Sequence, residues 1–377
     1  MKSVEDLTRE VFSNPTAPYR EHWVLECVKS ELNRIKVPFF TDIWGNIIAG
    51  VRNETELRKS SRTALVAHTD HPGFHLIKKL DSSRWRAKWY GGCPPHISKA
   101  RVAIHNPESP DSPIYGTIED RKLSKEKIFV IKLSNKKDGI NLNSKCFGAF
   151  DFPSFQKRRT RIFTRAADDL TGVVIILATF ARLKASKRKF LIGIFTRAEE
   201  TGFRGTLGLI YSRILGKEMS TISLEASRAL QGARLGKGPV IRLGDKRSLF
   251  DSSVTSGLDL AASDLVSRNS KIKFQRRIMN GGTCEATAFN FHGTPSGGLA
   301  IPLGNYHNQR SNGRPGAEFI DIRDLETGVK LCLAFFKNNA LRKNPVLKFK
   351  SLLKKEFKKD KKLLMQKVEF KMRVHHV

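Results

Sequence analysis

From residue 168 to residue 336 the chain alternates apolar runs of strand length with apolar-faced helices, and few folds accommodate that alternation. Leu170 to Leu183 reads as a strongly apolar helix, Phe190 to Phe195 as a buried strand and Gly205 to Leu215 as a second helix. Thr221 to Leu224 reads as a strand, Gly257 to Val266 as a helix, Leu299 to Ile301 as a short strand and Asp324 to Phe336 as a closing helix. Strands flanked by such helices give a three-layer α/β/α fold whose mixed sheet is parallel at its centre. Upstream, Trp23, Val24, Cys27, Val28, Leu32 and Ile35 fall at helical spacing, and Asp42 to Ala49 reads as two short strands about Gly45-Asn46. Thr63 to Ala67 is an apolar run of strand length that leads directly into His68-Thr69-Asp70.

Residues 76–160 change character. Pro94-Pro95, Pro107, Pro110 and Pro113 punctuate short β-type runs such as Arg101–Ile104 and Ile128–Leu133, with no long helix, as in a small inserted β-rich domain. The expected organisation is therefore a catalytic domain of residues 1–75 and 161–340, an insertion at 76–160 and a basic tail at 341–377. The chain holds 68 Lys and Arg against 36 Asp and Glu, and ten of its 32 net positive charges sit in that tail. There Leu352, Leu353, Phe357, Leu363 and Leu364 interleave with lysines as a basic amphipathic helix, a form that binds anionic surfaces such as nucleic acid or acidic lipid, or contacts another subunit. Five scattered cysteines without a Cys-x-x-Cys pair indicate reduced thiols. The polar start Met1-Lys2-Ser3-Val4-Glu5-Asp6 is unlike a secretory leader, and no apolar run reaches membrane-span length, so a cytoplasmic chain without a membrane span is expected.

The acidic and imidazole groups recur at one kind of position, just past an apolar strand or at a helix mouth. His68 and Asp70 follow one strand, Glu199 and Glu200 another and Glu225 a third, while Asp168 and Asp169 open a helix. In an open α/β sheet, ligands bind in the crevice beyond the strand carboxyl ends, so these groups should converge there. Imidazoles with several carboxylates suit a divalent cation such as zinc, manganese or cobalt, and one carboxylate can bridge a pair of ions. Asp70 is placed to orient the His68 ring. Of the neighbours Glu199 and Glu200, one can ligate while the other stays free as a general base. Taken singly, each has a plainer reading: His68 as a strand-end histidine, Asp168 as a helix N-cap, Glu199-Glu200 as a solvated pair. His71 and His75 read as packing or supporting residues, Cys284 as core or substrate contact, and His292 as the neighbouring competitor of His307.

The segments Val66-Ala67-His68-Thr69-Asp70-His71-Pro72-Gly73, Ala167-Asp168-Asp169-Leu170-Thr171-Gly172 and Phe195-Thr196-Arg197-Ala198-Glu199-Glu200-Thr201-Gly202 resemble the glutamyl and tetrahedral aminopeptidases, a family of dinuclear metallopeptidases. Leu235-Gly236-Lys237-Gly238-Pro239-Val240-Ile241, Gly281-Gly282-Thr283 and Ala300-Ile301-Pro302 leading to His307 continue the match in the family's order, over roughly residues 5–338. The resemblance implies His68 and Glu225 on one metal ion, Glu200 and His307 on the other, Asp168 bridging both, Asp70 supporting His68, and Glu199 as general base to a metal-bridging hydroxide. It also implies a cis peptide at Asp168-Asp169, zinc as the metal with cobalt or manganese as alternatives, a peptide substrate cut at its N-terminus, and a homo-oligomer.

The chain departs from the family's pattern in places. Glu225 stands where these aminopeptidases usually carry Asp, and Glu there accompanies carboxypeptidase-type relatives. Leu170 replaces a usual Arg, Cys284 a usual Asp, and Gly304-Asn305 lacks the Arg common before the last His. Two alternatives therefore stand beside the aminopeptidase: a carboxypeptidase or amide deacylase of the same fold, and a catalytically silent protein that binds through its basic tail.

Overall fold

The structure is a computed structural model that describes residues 1–119, 125–134, 142–343 and 345–366. Its strands are β1 (Phe39–Thr41), β2 (Ile47–Ala49), β3 (Thr63–His68), β4 (Gly73–Lys79), β5 (Arg84–Tyr90), β6 (Arg101–Asn106), β7 (Ser109–Ile118), β8 (Ile128–Leu133), β9 (Phe147–Phe150), β10 (Gln156–Arg158), β11 (Arg161–Thr164), β12 (Leu191–Thr196), β13 (Ser220–Arg228), β14 (Val240–Asp245), β15 (Gln275–Met279), β16 (Ser296–Leu303) and β17 (Glu318–Asp321). The helices are α1 (Val4–Ser13), α2 (His22–Arg34), α3 (Glu54–Arg58), α4 (Leu170–Arg182), α5 (Ala185–Arg188), α6 (Arg204–Tyr211), α7 (Ser252–Arg268), α8 (Glu285–Phe291), α9 (Ile322–Lys337), α10 (Ala340–Lys343) and α11 (Pro345–Leu364).

An eight-stranded sheet runs β1-β2-β12-β3-β13-β16-β14-β15. Its central strands β12, β3, β13 and β16 are mutually parallel, whereas β2 joins β12 and β14 joins β16 antiparallel. The alternation inside β3 shows why helices must cover both faces. Leu65 and Ala67 enter a core shared with α1, α2, α4, α7 and α9, while Ala64 and Val66 enter another with Leu57, Leu209 and Phe289. Helix α4 is buried along nearly its whole length, so it is apolar on every side. Each of its large side chains contributes about 1.5–3 kcal/mol through burial. This is the expected three-layer architecture.

Strands β4-β5-β8-β7-β6-β9 close into a small antiparallel barrel with a separate core that includes Phe74, Trp85, Trp89, Phe129 and Phe150. β-Rich character is readable from the sequence, but closure is not, because it depends on β4 pairing β9 across some 70 residues of chain. A third sheet, β10-β11-β17, lies beside the crevice and sets Glu318 opposite Thr164.

Several boundaries differ from the sequence reading. Asp42 to Asn46 is a turn rather than strand, because the Asp42 carboxylate accepts the amides of Trp44 and Asn46 and leaves Ile43 exposed. Helix α7 begins five residues early, where Asp251 caps it. Helix α6 stops at Tyr211, and Arg213 turns left-handed soon after. Strand β13 continues to Arg228 because β16 keeps pairing with it after its pairing with β3 has stopped at Ser223, so Glu225 lies within a strand and not beyond one. Helix α10 starts at the expected tail boundary, yet Ala340 is buried in the main core and Leu341 rests against it. Helix α11 carries the expected basic amphipathic segment with Leu352, Leu353, Phe357, Leu363 and Leu364 all exposed, whereas residues 367–377, with His375 and His376, lie outside the described residues. Among the described residues no helix is long and apolar enough to cross a membrane.

Candidate active site

His68 is the last residue of β3 and sits opposite Thr196, the last residue of β12, so the chain after both strands enters the same crevice. Glu199 and Glu200 form the short 3-10 turn that follows β12, and His307 lies in a second such turn after β16. Both turns need unusual backbone: Ala198 has φ 51° and His307 φ 54°, in the left-handed region that L residues seldom adopt. Buried carboxylates hold them there. Glu21 accepts the amide of Ala198 at 3.0 Å, and Glu318 accepts the amide of His307 at 2.8 Å.

The opposite side of the crevice is the entry to α4. Asp169, not Asp168, caps this helix by accepting the Gly172 amide at 3.0 Å, which leaves the Asp168 carboxylate free to face the crevice. The Asp168-Asp169 peptide is cis. Glu318 also accepts the amides of Ala167 and Asp168, at 2.7 and 3.2 Å, and the Asp168 carbonyl lies 2.6 Å from His71 Nδ1.

Three groups of potential ligand atoms result, each with its atoms within 4.8 Å of one another: His68, Asp168 and Glu225; Asp168, Glu200 and His307; and His68, Glu199 and Glu200. The Asp168 carboxylate spans the first two, with Oδ1 3.7 Å from His68 Nε2 and Oδ2 3.6 Å from His307 Nε2. Glu200 Oε1 approaches His307 Nε2 at 3.1 Å, and Glu199 Oε2 lies 3.8 Å from His68 Nε2. All seven residues singled out in the sequence therefore meet in one place. Asp70 lies against His68, as the sequence reading has it, but mainly through its backbone. The His68 Nδ1 contact of 3.0 Å is to the Asp70 carbonyl, while its carboxylate, 3.5 Å from that nitrogen, accepts the amides of Glu199 and Glu200 at 2.9 and 3.1 Å. It thus orients both the imidazole and the glutamate pair.

The electrostatics follow from burial. Burial pushes the Glu225 carboxyl up to about 8, with Asp168 adding like charge. Glu199 is raised well above the carboxylate range by burial as well, against the opposing pull of His68. Burial disfavours the His307 cation, but Glu200 and Asp168 outweigh it and lift the imidazole to about 10. Asp168, despite its burial, is held below the usual range by His307 and His68. Four carboxylates thus crowd two imidazoles in a nearly dry crevice. Asp168 Oδ1, Glu200 Oε1 and His307 Nε2 are buried there without a hydrogen-bond partner. Native interiors rarely leave polar atoms so, and a divalent cation bound there would satisfy them and neutralise the surplus charge. The donor set, imidazole nitrogen with carboxylate oxygen, fits zinc, cobalt or manganese.

The family model for M42 glutamyl aminopeptidases matches residues 45–331, which include every one of these groups. The chain belongs to this family. No curated protein sequence matches it significantly. Its structure is similar to the TET1 peptidase of Pyrococcus horikoshii, described as assembling into a tetrahedron or a large octahedral shell (21% identity, TM-score 0.71, 88% of this chain and 98% of that one). It is also similar to an aminopeptidase from the archaeon Desulfurococcus kamchatkensis (20%, TM-score 0.72, 91% and 97%) and to a TET aminopeptidase from a marine-sediment thaumarchaeon (16%, TM-score 0.73, 90% and 99%). At such identities the likeness is one of fold.

Several supporting residues escaped the sequence reading. Glu318, fully buried, organises both the Asp168 and His307 turns, and its signal was an acid in the apolar run Phe319-Ile320. Glu21 does the same for the Glu199 turn. Glu285 is buried under it, accepting Thr196 Oγ1 at 2.6 Å and the Thr206 hydroxyl. Tyr306 stacks on the His307 ring at 3.7 Å between centroids. Gly92, in the loop after β5, lies so close that an added Cβ would come within 1.9 Å of His307 Nδ1, which brings the barrel against the site. Cys284 is buried with Phe250 and Ala286, and His292 bonds the Ala288 carbonyl away from the crevice.

Proposed function

We propose that the chain is a dinuclear metal-dependent aminopeptidase, with His68 and Glu225 holding one ion, Glu200 and His307 the other, and Asp168 bridging them. The observation that carries this reading is the Asp168 carboxylate, whose two oxygens belong to two ligand groups on opposite sides. Two divalent ions there, zinc foremost, would polarise the scissile carbonyl and acidify the attacking water. Glu199 takes the proton of that water and passes it to the leaving amine, a task suited to a carboxyl whose burial raises its proton affinity. Asp70 keeps Glu199 and Glu200 apart in role by fixing both amides, and Glu318 fixes the turns that present Asp168 and His307.

In this reading residues 1–75 and 161–340 form the catalytic domain and 76–160 the inserted one, whose Gly91-Gly92 loop borders the site. The chain functions as a homo-oligomer in the cytoplasm, and its basic tail serves a further contact with nucleic acid or another subunit. Glu225 favours a second reading, removal of C-terminal residues, because its extra methylene shifts the carboxylate relative to Asp. A panel of peptides with free or blocked ends separates the two. An aminopeptidase cleaves substrates with a free N-terminal amine and ignores N-acetylated ones, whereas turnover confined to N-blocked peptides with a free C-terminus would overturn the first reading.

A further inference from the structure

Where the barrel meets the main body lies a cation that the proposed reaction does not use. Arg165, just after β11, reaches back to the N-terminal segment, where its Nη2 donates to the carbonyls of Ser13 at 2.6 Å and Phe12 at 3.5 Å. Its Nε is buried with no hydrogen-bond partner. Among the described residues its Nη1 donates to nothing and no carboxylate pairs with it. Burial pulls the guanidinium down to about 10, with Tyr115 opposing. Nearby, His105 on β6 is 7% exposed and packs against the rings of Trp23 and Phe147, at 5.9 and 5.8 Å between centroids. Its Nδ1 is likewise buried without a partner. Burial, together with the charge of Arg165, pushes this imidazole down to about 3, so it is neutral at pH 7.

Both residues line one cavity of about 110 Å³. The body contributes Pro15 and Arg165 to its walls, and the barrel contributes His105, Tyr115, Phe147 and Phe150. Asp151 also borders it, but that carboxylate is engaged by Arg101 at 2.9 Å. A guanidinium set among aromatic walls without a paired carboxylate is costly, and unused donors beside it add to the cost. Buried polar atoms left so in native proteins commonly meet a water or an ion. Water would satisfy the donors but leave the charge uncompensated, whereas an anion does both. The volume is that of roughly eight waters, ample for a tetrahedral oxyanion and too small for a nucleotide. Guanidinium and imidazole N–H groups are donors suited to such an ion.

We propose that Arg165 and His105 form a binding site for a small inorganic oxyanion, phosphate or sulfate, that pins the barrel to the main body. The inference stands independently of the peptidase reading, since no candidate metal ligand lines the cavity.

The test uses the full chain loaded with zinc, and sulfate as the probe. Calorimetry should show saturable sulfate binding that weakens at least about tenfold in Arg165→Met, as loss of a charge-assisted donor does. His105→Phe keeps the ring packing but offers no N–H, and should weaken binding roughly three- to tenfold. Arg165→Lys keeps the charge without the planar donors and should fall between wild type and Arg165→Met. Phosphate should displace sulfate, whereas chloride at equal ionic strength and AMP, too large for the cavity, should not. Sulfate should also raise the Tm of the wild type more than that of Arg165→Met, a difference that removes its general stabilising effect on any protein. Selenate soaked into crystals should give an anomalous peak within hydrogen-bond distance of Arg165, which separates this ion from one bound at the metal centre. Should Arg165→Met fail to fold, His105→Phe and the selenate position decide. No saturable sulfate binding, binding unchanged in both variants, equal displacement by chloride or AMP, or a selenate peak at the metal centre alone would overturn the site.

Discussion

Glu199 and Glu200 are adjacent in the chain, yet their carboxylates meet different surroundings. Glu200 reaches His307 and Asp168, whereas Glu199 faces His68 from a position where burial raises its proton affinity. Glu199→Gln should therefore retain metal and lose about 10²–10⁴-fold in kcat, since the amide accepts no proton. Glu200→Ala should lose metal affinity instead, and identical behaviour of the two variants in metal analysis and kinetics would show that the roles are not divided. Glu318 touches no candidate ion but accepts amides on both sides of the site. Its replacement by Ala should weaken metal affinity by roughly 10- to 100-fold, as loss of an orienting partner does, and unchanged affinity in a chelator competition would count against that function. Of the residues that meet in the crevice, His68, Asp168, Glu199, Glu200 and Glu225 could be picked out because each follows an apolar run or opens a helix. His307, in a turn after β16, came from the family resemblance alone. Glu318, Glu21 and Glu285 were not legible, since a buried carboxylate is recognisable only when the amides and hydroxyls it accepts are known.

At the scale of elements, the central strands could be read because parallel strands covered on both faces are continuous apolar runs, as in Leu191 to Phe195. Strands β14 and β15 were missed because arginines interrupt them: Arg242, Arg276 and Arg277 mask the pattern of a sheet margin. The barrel's closure and its approach to the site were equally illegible, being long-range pairings. That approach can be tested at Gly92, which abuts His307. Gly92→Ala should push the loop after β5 off the imidazole and lower activity at least tenfold, while the melting temperature moves by no more than a few degrees, as for a surface-loop change outside the core. Wild-type activity in that variant would mean that the barrel's proximity does not matter to the reaction.

For the whole molecule, the fold separates the body that holds the candidate site from a terminal helix that extends beyond it. The family model ends at residue 331, and α10 still packs into the main core, but α11, with eight lysines against two acids, is exposed from Lys348 onward. A chain cut after residue 344, which spares α10, should fold, bind its ions and cleave small peptides. Any affinity of the full chain for nucleic acid should fall steeply with salt and vanish with the cut. A folded but inactive truncation would show that α11 completes the working assembly. The central claim is that one carboxylate bridges two ions, and metal content measured on purified wild-type protein and on Asp168→Ala tests it most directly. Close to two divalent ions per chain are expected in the wild type and less than one in the variant, with the fold retained by circular dichroism. Two ions in Asp168→Ala, or a single ion in the wild type under saturating metal, would contradict the bridged centre.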